Sequence, residues 1–501
     1  MTYFHRPLLP LFCLSLIAYL IAPFWFPLGP QVYQSPLPDI RTFTPSLWLG
    51  ALYGGWFLLL YAAYGLAALR ISRLPRPPGL GWLSTTAVFF AIPQLFTFPI
   101  NATDIYRYFI RGRIFSIHGQ NPYAIEAATL THDPFWQLAG EWATATSPYG
   151  PVWELIAGGL TWPLGENLLL GLLLFKLLGL LTHLANGALL WHILAAASPQ
   201  HRASVTLLWL WNPALLNIFV IDAHNDGLML FWLLLGYWVW QRWQRPLLAF
   251  LLMVLAPLTK PIGLLALPFL FIGMWHKLPH KLADRLLFVL ASLVGSLLLV
   301  WLVFLPFGSP LDLATRLLDE ASGGGFSPLT LLYLLLLQIT EAVPVHELLA
   351  GARAIFIGAA LWWLWQTFRQ KRPFLHPTAD IFTAYLWHAF SFRIWYAVWA
   401  FPWLLIDNRP YWRRVGFWFL LTTQLSVLIY GHLRFYALGG SIVWSHIIGV
   451  PFTFGLPLLL ALIHRETFFV TVINPPPNPL PLGGGICSLP FWGRAREGAA
   501  L

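Results

Sequence analysis

Asp104, Arg107 and Arg111 fall at helical spacing inside residues 100–151, the longest polar interruption in an otherwise apolar chain. If residues 103–115 form a helix, Asp104, Arg107, Tyr108, Arg111 and Phe115 share an arc of roughly 100°, because i+3, i+4, i+7 and i+11 lie on one face. One carboxylate would then stand beside two guanidinium groups. A carboxylate can take the proton of an attacking hydroxyl, and guanidinium groups bind phosphate through paired hydrogen bonds. Together they suit the transfer of a sugar from a phosphate carrier. The same face could also belong to an ion-paired surface helix resting on a bilayer, with Arg107 and Arg111 on lipid headgroups.

Other polar residues interrupt apolar runs further along. Asn121-Pro122-Tyr123 and Ser147-Pro148-Tyr149-Gly150-Pro151 are turn sequences carrying aromatic rings. Asp222 and His224-Asn225-Asp226 close an apolar run that contains Asn212-Pro213. Polar groups at membrane depth are costly and usually face a cavity or a partner. The His-Asn-Asp set could bind sugar hydroxyls, assist a base or ligate a metal, or Asn225 or Asp226 could simply cap the next helix. Lys260-Pro261 interrupts another run, and with Pro257 and Pro268 it reads as a broken helix of the kind that lines cavities. The lysine either snorkels to the interface or meets a phosphate. Gly323-Gly324-Gly325 reads as a hinge after Arg316, Asp319 and Glu320.

The elements that must position these residues are membrane helices. Of 501 residues, 58% are hydrophobic and 10% charged, and the mean hydropathy is +0.68; a soluble domain carries about 25% charged residues. The +10 net charge does not indicate a nucleic-acid partner. About half of the Lys and Arg lie in small clusters between apolar runs, as topology signals do. The cluster Arg70, Arg73, Arg76 is expected inside, and residues 80–99 then cross back and place 100–150 outside. Runs of about 20 apolar residues each give about 11 to 14 spans. Residues 151–165 read as either a short span or a re-entrant helix. Residues 1–473 are expected to form one transmembrane domain, with 100–150 as its catalytic extracytoplasmic loop. The Pro/Gly-rich tail, 474–501, is expected to be disordered. Cys13 and Cys487 are not expected to pair. His276 and His280 flank Pro279 among lysines and read as a juxtamembrane loop.

The ordered set DIYRYFIRGRIFSIHGQNPY, SPYGPVW, WNPALLNIFVIDAHNDGLM and LTKP, from Asp104 to Pro261, resembles the polyprenol-phosphomannose-dependent mannosyltransferases of bacterial membranes. More broadly it resembles the glycosyltransferase-C superfamily, and FRIWYAVWAFPWLL is similar to a late aromatic-proline helix of such enzymes. The resemblance implies an all-α polytopic membrane protein with a long first extracytoplasmic loop. It implies transfer of a hexose, mannose in this family, from a polyprenyl-phosphate donor to a glycan or lipid acceptor. The active site would lie on the outer side of the cytoplasmic membrane and the displacement would be inverting. Asp104 matches the acidic residue that serves as base. Arg107, Arg111 and Lys260 are then the expected donor-phosphate anchors. Tyr108, Asn121, Tyr123, Tyr149, His224, Asn225 and Asp226 are the expected substrate-binding set. The next acidic residues, Glu126 and Asp133, are not adjacent to Asp104, and no cofactor or tightly bound metal is expected. Two other readings stand beside this one, a flippase or transporter of a lipid-linked saccharide and an O-antigen-ligase type of transferase. The absence of a visible inverted repeat and the early position of the long loop favour the mannosyltransferase.

Overall fold

A computed structural model describes residues 7–320, 325–340, 343–407 and 409–463. The expected tail 474–501, Cys487, Gly323 and Gly324 lie outside the described residues. The described chain is helical throughout, with no β-strand and one isolated bridge, Pro27–Thr97.

Among the described residues, six helices are long and apolar enough to cross a membrane: Leu47–Ser72, Leu168–Ala197, Leu282–Phe304, Val345–Phe368, Pro410–Tyr436 and Ile442–Ile463. At 1.5 Å per residue the 30-residue helix Leu168–Ala197 is about 45 Å long, enough for a hydrocarbon core of about 30 Å. Two of the six bury almost none of their most apolar stretch, 11% for Leu282–Phe304 and 6% for Val345–Phe368. Apolar surface left open in this way belongs against lipid. Arg202–Leu210 and Pro213–Ile221 make a pair bent by 44°, a seventh span if taken as one. Five shorter apolar helices, among them Leu9–Trp25 and Leu80–Leu95, accompany them. The protein is an all-α polytopic membrane protein.

Three breaks in this scaffold shape the site. The first is the polar segment 100–150, which is not a surface strap. Its helix Asp104–Ser116 is buried almost end to end. Ile105, Phe109, Ile110 and Ile114 join a second apolar core with Trp153, Ala157, Leu168 and Leu172. The reading of a surface helix resting on lipid does not hold. Asp133 closes the segment by accepting from Arg113 Nε at 2.9 Å and pairing with His118 Nε2 at 2.7 Å. Pro151–Thr161, the questionable span, is an 11-residue helix packed on Asp104–Ser116; at about 16 Å it is too short to cross.

The second break is at Asn212. Its side chain accepts from the Ala214 amide at 2.9 Å and Pro213 starts the next turn. The helix then widens to a π-turn over Asn217–Ile221 and stops. Ala223 holds φ +55°, a left-handed conformation that side chains beyond glycine adopt rarely. This strained turn presents His224. The third break is at Lys260, extended between Pro246–Thr259 and Pro261–Ala266. The expectation of a broken helix at Lys260 is met.

Candidate active site

The first and third breaks meet at a cavity of about 700 Å³, within the range of small-ligand sites, and the second stands behind Asp104. Of the residues expected from sequence, Asp104, Arg107, Lys260 and Tyr149 line it. Asp104 opens its helix, and its carboxylate is 4% exposed and paired with Arg107. His224 Nδ1 stands 3.4 Å from Asp104 Oδ2 and 3.8 Å from Asp226 Oδ2. The imidazole stacks on Trp395, centroids 4.4 Å apart. Arg107 lies 4.7 Å over the ring of Trp142.

Asp226 does not reach the cavity. It accepts from Lys260 Nζ at 2.9 and 2.8 Å and from the indole of Trp399. The two residues expected to bind different parts of a ligand are thus joined: Asp226 aims the Lys260 ammonium, and Tyr396 and Trp399 flank it at 5.6 and 5.8 Å. Asn225 precedes the helix without capping it. It is buried, and neither polar atom of its side chain has a hydrogen-bond partner among the described residues.

The remaining expected residues support the turns. Arg111 donates to the carbonyls of Ala145 and Thr146 at 3.3 and 3.0 Å and lies 5.6 Å from the Tyr149 ring, off the cavity wall. Asn121 donates to the Phe307 carbonyl at 2.7 Å and accepts from the Tyr123 amide at 2.9 Å. Tyr123 donates to the Tyr149 carbonyl at 2.8 Å. Tyr108 packs among Tyr149, Trp153 and Phe175. Gly150 allows the 147–151 turn to touch the Lys260 segment. Its amide donates to the Thr259 carbonyl at 3.1 Å, and a Cβ there would come within 2.1 Å of the Leu258 carbonyl oxygen.

Arg41, Arg107, Lys260 and Arg393 line the cavity together with three carboxylates, Asp39, Asp104 and Glu141. Burial opposes ionisation of Asp104, yet the charges facing it, Arg107 first, hold the carboxyl below its usual range. Burial pushes the His224 imidazole down to about 4, helped by Lys260 and Arg107 and opposed by Asp104 and Asp226. His224 is therefore neutral at pH 7, and the charge that keeps Asp104 ionised comes from Arg107, Lys260 and Arg393. Glu154, on the short helix behind the turn, is pushed up to about 7 by burial, against Arg111 and a hydrogen bond from Ser147. Asp133 is buried as well, but the hydrogen bond from His118, the Phe135 amide and Arg113 hold it low. Among the described residues, no three His, Cys, Asp or Glu side chains converge as metal ligands.

Sequence reasoning missed six contributors. Arg393, Trp395, Tyr396 and Trp399 form one wall, although their stretch was read only as an aromatic-proline helix. Arg393 is the only Lys or Arg in the apolar run 378–406, and an isolated intramembrane cation is a site signal in its own right. Asp39 and Arg41, from the segment after the first helix, line the cavity too, with Arg41 paired to Asp39 and lying 4.1 Å from the Phe435 ring. Nothing in their local sequence marks them.

A family model described as "Alpha-(1->6)-mannopyranosyltransferase, N-terminal domain" matches residues 22–276. The chain belongs to this family. The match holds Asp104, the His224–Asp226 turn and Lys260, so every break described above lies within it. Relatives agree. An alpha-(1->6)-mannopyranosyltransferase A of Corynebacterium glutamicum is 28% identical over 39% of this chain and 40% of its own length. A protein of Mycolicibacterium smegmatis named "Probable alpha-(1->6)-mannopyranosyltransferase" is 25% identical over 70% of this chain and 68% of its own. The Mycobacterium tuberculosis alpha-(1->6)-mannopyranosyltransferase A is 28% identical over 40% of this chain and 37% of its own. The chain thus spans well under half the length of two of these relatives and about two thirds of the other. No solved structure matches it.

Proposed function

We propose that this mannopyranosyltransferase-family protein transfers mannose from a polyprenyl-phosphate donor to a glycan or lipid acceptor on the extracytoplasmic side of the cytoplasmic membrane. The observation that carries the proposal is a junction. A second, almost wholly apolar groove, also about 700 Å³, shares Pro261, Leu264 and Leu317 with the polar cavity. Its other walls include Phe250, Phe271, Val300 and Leu313. An isoprenoid chain fits the groove by polarity, and at its head Lys260 and Arg393 meet a phosphate.

In the reaction, the acceptor hydroxyl attacks the anomeric carbon and its proton passes to Asp104. The bond from that carbon to the phosphate oxygen breaks, and polyprenyl phosphate leaves. Lys260 and Arg393 stabilise the charge that develops on the leaving group, the kind of contribution that is largest in a site shielded from water. A depressed carboxyl is a weak base, so the Asp104–Arg107 pair must loosen. An incoming phosphate gives Arg107 a second anion to bind, freeing Asp104 and raising its basicity in the complex. Neutral His224, stacked on Trp395, keeps the carboxylate aimed at the cavity.

Purified protein in liposomes, given polyprenyl-phosphate mannose with a labelled sugar and an alkyl α-mannoside, tests this reading. Free polyprenyl phosphate together with a lengthened mannoside supports it. Release of polyprenyl diphosphate from a diphosphate-linked glycan would indicate a ligase, and movement of intact donor across the bilayer a flippase.

A further inference from the structure

Lys176 lies in the third turn of the membrane-spanning helix Leu168–Ala197 and is fully buried, yet it lines neither cavity. Charged groups at this depth are rare and tend to have work to do. Its ammonium has three protons to donate, and three backbone carbonyls receive them: Thr97 at 2.9 Å, Val220 at 3.3 Å, and Ile221. Val220 and Ile221 end the π-turn, where the last carbonyls of a helix lack partners within it and carry the negative end of its dipole. Thr97 follows Leu80–Leu95 and leads into the polar segment. Asp222, the next residue after the π-turn, is buried as well. It accepts from the Asn101 amide at 3.4 Å, three residues before Asp104. The Asn101 side chain in turn donates to Gln424 at 3.3 Å, which also accepts from Asn217 at 3.4 Å. Gly179 lets the long helix come this close, since a Cβ there would stand 1.8 Å from the Phe219 carbonyl oxygen.

The segment 97–104 and the turn 222–226 come from distant parts of the chain. One delivers Asp104 and the other delivers His224, which stands 3.4 Å from Asp104, and Asp226, which holds Lys260. We propose that Lys176 and Asp222 are positioning residues that fix the register of these two segments, and so the placement of Asp104 against His224 and Lys260. Neither touches the space where substrate sits. Lys176 ties the end of the broken helix to the start of the segment that leads to Asp104, and the Asn101 amide ties that segment to Asp222 at the start of the turn. The proposal rests on Asp104 being the base.

The test uses full-length protein in nanodiscs, comparing wild type with Lys176→Met, Lys176→Arg and Lys176→Gln. Two quantities are measured: initial rates with labelled polyprenyl-phosphate mannose and an alkyl α-mannoside, and hydrogen exchange in peptides covering 97–104 and 217–226. A displacement of catalytic groups by about 1 Å can cost about 100-fold in rate. Lys176→Met is therefore expected to lose about 10- to 100-fold in kcat with donor KM nearly unchanged, and to raise exchange in both peptides. Lys176→Arg, which still donates to several carbonyls, recovers most of the rate and the protection. If Lys176→Met does not insert, Lys176→Gln, which keeps a donor without the charge, replaces it. Unchanged kcat and exchange in the variant that inserts would overturn the proposal, as would a loss confined to KM or equal losses in Met and Arg. Should wild type itself release no polyprenyl phosphate, the functional reading fails, while the exchange data still decide whether Lys176 couples the two segments.

Discussion

Lys260→Met is predicted to damage the protein in two separable ways. Asp226 is fully buried, and its partners are the two Lys260 hydrogen bonds and the Trp399 indole. Removing the ammonium leaves a buried carboxylate with one donor. Breaking a buried pair on one side costs about 3–5 kcal/mol, so the single variant should unfold at clearly lower temperature. Adding Asp226→Asn removes the uncompensated charge and keeps an oxygen for Trp399, which should restore most of that stability. Activity should not return. Losing one preorganised stabiliser of developing charge costs about 2.7–4 kcal/mol, or about 100- to 1000-fold in kcat. The assays are thermal unfolding in detergent and release of polyprenyl phosphate from labelled donor. A double variant that is stable and transfers at near wild-type rate would refute the role given to Lys260.

Further outcomes follow from the same geometry. Arg393→Gln removes a charge that helps keep Asp104 ionised, so the Asp104 pKa should rise and the acid limb of the kcat/KM profile should move to higher pH; an unmoved limb contradicts the electrostatic account. Glu154 titrates at about 7 in the folded protein against an ordinary 4.5, so the folded state holds this proton more tightly and loses stability as pH rises from 4.5 through 7. Glu154→Gln should therefore unfold at higher temperature than wild type at pH 8, by at most about 3 kcal/mol, with the gap closing toward pH 4.5; a gap independent of pH would count against it. Ala314→Trp places a large ring in the apolar groove, and should raise KM for long-chain polyprenyl donors while sparing a two-isoprene analogue. Equal effects on both donors would mean that the groove does not hold the chain.

Much of the site was legible because chemistry in a membrane is conspicuous. Asp104 and Lys260 stood out as polar groups against apolar runs, and both reach the cavity. Helical spacing put Arg107 and Arg111 on one face, but spacing cannot say which guanidinium meets open space. The Ala145 and Thr146 carbonyls claim Arg111 from 34 and 35 residues away, a contact that no local pattern encodes. The His-Asn-Asp motif was visible and its division of labour was not. Asp226 points to Lys260 because two helix breaks, at Asp222–Asn225 and at Lys260, face each other in the fold. Arg41 reaches the site from an element far from the motif set, so its contribution depends on packing alone; Arg393 is marked as an isolated cation in an apolar run, but only packing shows that it faces Asp104. Span counting from apolar runs identified the class, but bends such as that at Asn212 come from proline and capping details rather than hydropathy.

The central claim is that Asp104 is the base, and Asp104→Asn tests it most directly. The variant keeps the size of the side chain and an oxygen to face Arg107, so it should insert and fold. Single-turnover release of polyprenyl phosphate from labelled polyprenyl-phosphate mannose, with acceptor present, should fall by about 100-fold or more, as expected for loss of a general base worth 10²–10⁴, while donor binding persists. Near-normal release by a folded Asp104→Asn protein would contradict the account.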